Sequence, residues 1–266
     1  MRIIDLTLPL YDGMDYYCTG HFPWEVIFKT ERTVPTEAGA GLDLGSFTMY
    51  SEPGTRFLCV PPKKIGDVLG KELNKLVLKE GVMLHIPKEP KEGGNPITAK
   101  EMIAGIEKCP ARPGDAIVLH TGHGDDEKYY KLRGNWELWS PCLIPESIPP
   151  LADYLGRMKC PLFGYDTANL SWQCTDLCSL HREWGMRKPR PAPNTPEAKE
   201  AGKRYIESGK MAQENGEFFE FLRICDMLGG VVNCGEVKKE RFKLIIAPLK
   251  VIDWGFVPAT VYAIEE

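Results

Sequence analysis

The chain has 266 residues, 43% of them hydrophobic and 26% charged, enough to bury a sizeable core, and no apolar run approaches the roughly 20 residues that span a bilayer. Its formal charge of −4 supplies no broad positive field, which argues against nucleic acid as a partner. Nine cysteines, odd in number and without dense short spacing, read as reduced thiols, most of them small buried hydrophobes.

Met1-Arg2-Ile3-Ile4-Asp5 lacks the basic, apolar and small-residue sections of a signal peptide and enters a strand directly, so a cytoplasmic location is expected. That strand runs over Ile3–Leu10 and ends in Pro9-Leu10-Tyr11-Asp12-Gly13, where proline and glycine supply turn chemistry. Residues 45–60 alternate loosely, and Val82-Met83-Leu84-His85-Ile86 is an apolar run suited to a buried strand. Thr98-Ala99-Lys100-Glu101 is a capping box and opens a short helix to about Ile106. Pro113-Gly114-Asp115 turns the chain into the β-type run Ala116–His120, which Thr121-Gly122-His123-Gly124 ends.

Ser147 is expected to cap the next helix, with Pro149 in its first turn, and Cys160-Pro161 leads into a strand over Leu162–Asp166. Strand, helix and strand recur, which indicates an α/β sheet with crossover helices; no internal repeat is visible. From Arg187 to Pro196 four prolines exclude regular structure, and the stretch of about 187–216 reads as a Pro-rich and helical excursion from a single domain spanning 1–266. Phe218, Phe221, Leu222, Cys225 and Leu228 fall at helical spacing, predicting a helix over about Glu217–Leu228 that Gly229-Gly230 stops. Arg241–Leu249 and Thr260–Ile264 supply the last strands.

Four segments in order resemble the cyclase family, the group containing bacterial kynurenine formamidase: Ile4–Leu10, Ser51–Arg56, Pro113–Gly122 and Phe242–Ile264. Phe163-Gly164-Tyr165-Asp166-Thr167 also looks like the family's Gly-x-Asp-Thr turn. The resemblance implies a mixed sheet curling into a partial barrel with outer helices, assembly as a homodimer or homotetramer, and a small-molecule substrate. It further implies a divalent ion held by His-x-Gly-Thr-His-x-Asp-x-Pro-x-His, whose bound water opens formamides, lactones and cyclic amides.

The matching run here is Glu52-Pro53-Gly54-Thr55-Arg56-Phe57-Leu58-Cys59-Val60-Pro61-Pro62, in which glycine and threonine survive and the ligands do not. Arg56 has no lone pair to donate and Leu58 has no donor atom, so neither metal nor cofactor is expected. The family's second ligand group, a helical histidine and a later glutamate, aligns with Phe221 and Asn233. His181 could replace that histidine, and Cys174, Cys178 and His181 carry zinc-ligand residue types at an unusual spacing. A histidine in an ordinary hydrogen bond is the plainer reading.

Glu52 and Arg56 are the candidate catalytic pair, Glu52 as general base and Arg56 as a clamp for a substrate carboxylate or developing oxyanion. They could equally form an ion pair that fills the vacated pocket. Tyr17, His21, Thr55, Cys59, His120, Trp136 and His181 are candidate substrate contacts, any of which could instead be packing residues. Cys59 could also act as a nucleophile beside Arg56. Three functions compete: a metal-independent enzyme acting on a small amide, lactone or related carbonyl compound; an inactive family member kept for small-molecule binding or assembly; and a metal-dependent hydrolase with a rebuilt site.

Overall fold

The computed structural model describes residues 1–10, 28–32, 45–49, 54–58, 78–89, 95–125, 140–167, 170, 223–249, 251 and 256–266. Within these, β1 spans Arg2–Asp5, β2 Phe28–Arg32, β3 Gly45–Met49, β4 Arg56–Leu58, β5 Leu78–His85 and β6 Pro96–Ile97. Helix α1 (Ala99–Lys108) leads to β7 (Ala116–His120) and β8 (Cys142–Leu143); α2 (Ile148–Arg157) leads to β9 (Leu162–Tyr165). Strands β10 (Asp226–Gly229), β11 (Arg241–Pro248) and β12 (Phe256–Glu265) follow. The excursion at about 187–216 lies outside the described residues.

Eight strands form one sheet in the order β1-β12-β11-β5-β7-β9-β10-β4, and a further pairing of β12 with β4 closes seven of them into a barrel. Strands β5, β7, β9 and β10 run parallel to one another, and the remaining pairings of this sheet are antiparallel. The first residues of β12 pair with β4 and its last residues with β1, so this one strand both shuts the barrel and holds the chain's start.

Side chains alternate between the two faces of each strand. Met83, Val118, Leu162, Leu228, Leu244 and Val261 pack together inside the barrel. Val82, Leu84, Ile117, Leu119, Phe163 and Met227 face outward and are covered by Met102 and Ile106 of α1 and Leu151 and Leu155 of α2. Gly164 keeps the interior tight, since a Cβ there would sit 3.2 Å from a Val118 methyl. Cys160, Cys225 and Cys234 are buried, as expected of thiols serving as small hydrophobes, and burial pushes the Cys160 thiol up to about 12. Among the described residues no helix is long and apolar enough to cross a membrane.

Helix α1 starts as its capping box requires: Thr98 Oγ1 accepts from Glu101 N at 3.2 Å and Thr98 N donates to the Glu101 carboxylate at 2.8 Å. Other expectations are corrected. Ser147 stands at the cap of α2 without a side-chain capping bond, because a 3₁₀ turn over Pro145–Ser147 already gives it helical backbone angles that aim its hydroxyl elsewhere. β1 stops at Asp5, whose carboxylate accepts from Thr7 N at 2.9 Å and turns the chain early.

The helix predicted through Leu228 gives way by Asp226 to β10, a buried strand beside β9. Met227 and Leu228 face opposite sides of the sheet, and a short run buried on both sides reads alike as helix or strand.

At the far end of the barrel, Arg241 of β11 holds the turn before β7. Its guanidinium donates to both Asp115 oxygens at 2.6 and 3.0 Å and to Pro110 O at 2.9 Å. Burial alone would raise the Asp115 carboxyl, but hydrogen bonds from Arg241 and from Arg112 N outweigh it and hold the group below its ordinary value. A depressed carboxylate contributes stability above its unfolded pKa near 4 and loses it as pH falls through the folded value. Asp115→Asn is therefore expected to cost about 2 kcal/mol at pH 7, read from urea midpoints, with the gap narrowing as the pH falls below about 4. Equal midpoints at pH 7 would show the pair to be idle.

Candidate functional site

The parallel strands β5, β7, β9 and β10 end at one rim of the barrel, and β4, running the other way, begins there with Arg56 opposite Gly229. Ligands of open α/β sheets bind outside the carboxyl ends of such strands. The rim gathers His85, His120, the Thr121–Asp125 loop, Asp166 and Gly230, together with Thr55 and Arg56 from the matching run.

Two left-handed glycines let the turns at this rim approach. Gly54 has φ +71°, and a Cβ there would meet Leu10 Cδ2 at 2.7 Å; Gly230 has φ +67°, and its Cβ would stand 3.0 Å from Gly54 O. Between them the buried Thr55 accepts from Leu8 N at 2.8 Å and donates to Gly230 O at 2.8 Å. Its only hydroxyl proton is directed at the Gly230 carbonyl, so the chemistry of Thr55 in this state is that of a stitch between three chain segments.

Along β4, Phe57 points into the barrel, whereas Leu58 packs in the outer layer, and alternation gives Arg56 the face of Leu58. Arg56 is 3% exposed and Leu58 2%. The guanidinium passes close to the Gly230 turn, where a Cβ would lie 3.5 Å from Nη1. These are the two positions at which the resemblance calls for a histidine and an aspartate. A cation and a hydrocarbon side by side do not fit a divalent ion: one would repel it and the other offers no lone pair.

Asn233, the counterpart of the family's glutamate, does not turn toward them. It has left-handed backbone (φ 56°), and its Nδ2 donates to Asp5 O at 3.0 Å.

Asp166 is fully buried and gathers three donor groups: Thr121 N, shared between both carboxylate oxygens at 3.0 and 2.9 Å, Thr121 Oγ1 at 2.8 Å and Gly122 N at 2.9 Å. Burial pushes its pKa above the ordinary carboxylate value, with His120 and these donors opposing. The Gly-x-Asp-Thr turn thus joins the ends of β7 and β9, a role its position after an apolar strand did not reveal.

His120 alternates with Val118 and so lies on the barrel's inner face, across the sheet from Arg56. The structure does not bring these two candidate residues together. It brings His120 instead to His85, its register partner on β5, with 2.8 Å between their Nδ1 atoms, and to Asp125 Oδ2 at 3.1 Å. Burial and the neighbouring His120 hold the His85 imidazole below its ordinary value. Sequence reasoning missed His85 as a functional residue, although the parallel runs Val82–His85 and Ile117–His120 each end an apolar strand in histidine. Glu52, Tyr17, His21, Cys59, Trp136 and His181, with Phe221, Cys174 and Cys178, lie outside the described residues.

Comparison with known proteins agrees with this fold. Isatin hydrolase A from Labrenzia aggregata, bound to benzyl benzoate, superposes with a TM-score of 0.65 at 16% identity, covering 98% of this chain and 93% of that one. A predicted metal-dependent hydrolase from Bacillus stearothermophilus gives 0.60 at 15%, covering 100% and 98%. Isatin hydrolase A from Ralstonia solanacearum gives 0.65 at 15%, covering 100% and 92%. At such identities the likeness shows a shared fold. No curated protein matches the sequence. The family model described as "Putative cyclase" matches residues 4–171, and the chain belongs to that cyclase family.

Proposed function

We propose that this cyclase-family chain is a hydrolase-type enzyme that acts on a small amide, lactone or related carbonyl compound without the family's divalent ion. The observation that carries the reading is the burial of Arg56 beside Leu58 on the outer face of β4. A buried guanidinium attracts an anion more strongly than one in water does, and a ligand carboxylate, or the oxyanion formed when a carbonyl is attacked, is such an anion. Arginine offers it planar paired donors that never lose their proton.

Glu52, four residues earlier in the chain, is the proposed base that takes a proton from the attacking water. The isatin hydrolases among the structural neighbours support a hydrolytic reaction on a small compound. Assembly as a homodimer or homotetramer belongs to the same proposal.

A second reading draws on Leu58, whose buried hydrocarbon makes this face more apolar than hydrolysis requires: the fold is retained to bind a small molecule without turning it over. Turnover of any metabolite by purified protein removes that reading.

A screen of formamides, lactones and cyclic imides tests the first. For a substrate it identifies, Arg56→Met is expected to lower kcat/KM about 100-fold or more, as loss of an oxyanion donor does, with the unfolding midpoint monitored alongside. Arg56→Lys should recover only part of the loss, because an ammonium cannot present two parallel donors. Glu52→Gln should lower kcat by about 100-fold or more and remove the acidic limb of its pH profile. Unchanged turnover in both Glu52→Gln and Arg56→Met would end the assignment.

A further inference from the structure

Away from Arg56, the inner rim carries a second arrangement of reactive side chains that the proposed hydrolysis does not use. His85 and His120 end the parallel strands β5 and β7 at the same register level, and their rings meet edge to face with centroids 5.0 Å apart. Their Nδ1 atoms are 2.8 Å apart, a hydrogen bond that needs one proton between them. On its other side His120 presents Nε2 to Asp125 Oδ2 at 3.1 Å. Asp125 is itself positioned, because its Oδ1 accepts from Gly235 N at 3.0 Å. A Cβ at Gly235 would stand 2.9 Å from Asp125 Oδ2, so glycine is what admits the carboxylate there.

These contacts determine the tautomers of the neutral pair. An ionised carboxylate only accepts, so His120 carries its proton on Nε2 and has a lone pair on Nδ1. That lone pair takes the Nδ1 proton of His85, which leaves the His85 lone pair on Nε2. His85 is exposed, and its Nε2 makes no hydrogen bond among the described residues.

We propose that Asp125, His120 and His85 form a proton relay whose outlet, His85 Nε2, is a nucleophile for small activated acyl compounds at the inner rim of the barrel. The geometry is that of a nucleophile oriented by a base that is in turn held by a carboxylate, with imidazole in place of a hydroxyl. His85 Nε2 forms a bond to the acyl carbon, and the bond to the leaving group breaks with departure of its anion. The acylated ring passes its Nδ1 proton to His120 Nδ1, and Asp125 holds the resulting imidazolium. Water then cleaves the acyl-imidazole to a carboxylic acid, its second proton passing to His85 Nε2; His85 Nδ1 recovers its proton from His120, and Nε2 releases the extra proton to solvent, which restores the neutral pair.

The groups that bear on His85 are His120 and Lys238, which oppose its protonation, and Asp125 and Glu240, which favour it. Burial, the largest influence, acts with the first pair, and together they hold the ring below its ordinary value, which favours the neutral form. His85 is the catalytic residue of this proposal, and His120 and Asp125 are positioning residues.

Diethyl pyrocarbonate, an activated acyl donor, is the probe, applied to the full chain with each modified histidine located by peptide mass. His85 is expected to react about 10-fold faster than the same residue in urea-unfolded protein, and to lose that advantage in both His120→Gln and Asp125→Asn. Its rate-against-pH profile should move in His120→Gln, which a merely structural role for His120 would not cause. The melting temperature of each variant establishes that the folded form is being read, and either variant alone suffices if the other fails to fold. Reaction of His85 at the unfolded rate, or a rate and pH profile indifferent to the folded variants, overturns the relay. None of these outcomes depends on Arg56, so the two sites stand or fall separately.

Discussion

The period of two along a β-strand is the constraint from which the rest of this molecule's chemistry follows. Arg56 and Leu58 are two residues apart on β4, so they share one face, and Phe57 between them fills the barrel on the other. A pair of substitutions at that spacing rewrites the chemistry of one surface without disturbing the core behind it. The scaffold around the pair has the fold of its cyclase-family neighbours. Gly54 and Gly230 turn in left-handed conformations, and Thr55 joins Leu8 N to Gly230 O. Where the resemblance implies residues that hold a cation, this rim carries the Arg56 guanidinium.

That inversion separates what the fold supplies from what the side chains do. The barrel gives a rim at the ends of four parallel strands, with Asp166 bracing the Thr121–Gly122 turn and Asn233 tied to Asp5 O. None of these contacts needs a metal, because their polar groups are satisfied by backbone amides and carbonyls. The same rim has two faces. The outer face holds the guanidinium, and the inner face holds the His85, His120 and Asp125 chain, so a single closed sheet presents opposite chemistries on its two sides.

Much of the architecture was legible wherever local signals were strong. The capping box at Thr98 and Glu101 and the apolar runs ending at His85 and His120 marked α1, β5 and β7, because each rests on chemistry within a few residues. β10 was not legible: Met227 and Leu228 are buried on both faces, which erases the alternation that distinguishes a strand. Barrel closure joins residues about 200 positions apart along the chain, β4 with β12, and no local pattern announces such a pairing. For the same reason the sequence offered Arg56 and His120 as parts of one pocket. Only the direction of alternation on β4 and β7 assigns them to opposite faces.

On the function proposed above, the β4 face formed by Arg56 and Leu58 does not hold a divalent ion. Crystals of protein purified in the presence of zinc and manganese, measured for anomalous scattering at both metal edges, test it directly. No anomalous peak is expected within coordination distance of the Thr55–Leu58 segment. A peak there, from a metal held against Thr55 and the neighbouring strand ends, would contradict it and return the family's metal-bound water to this chain.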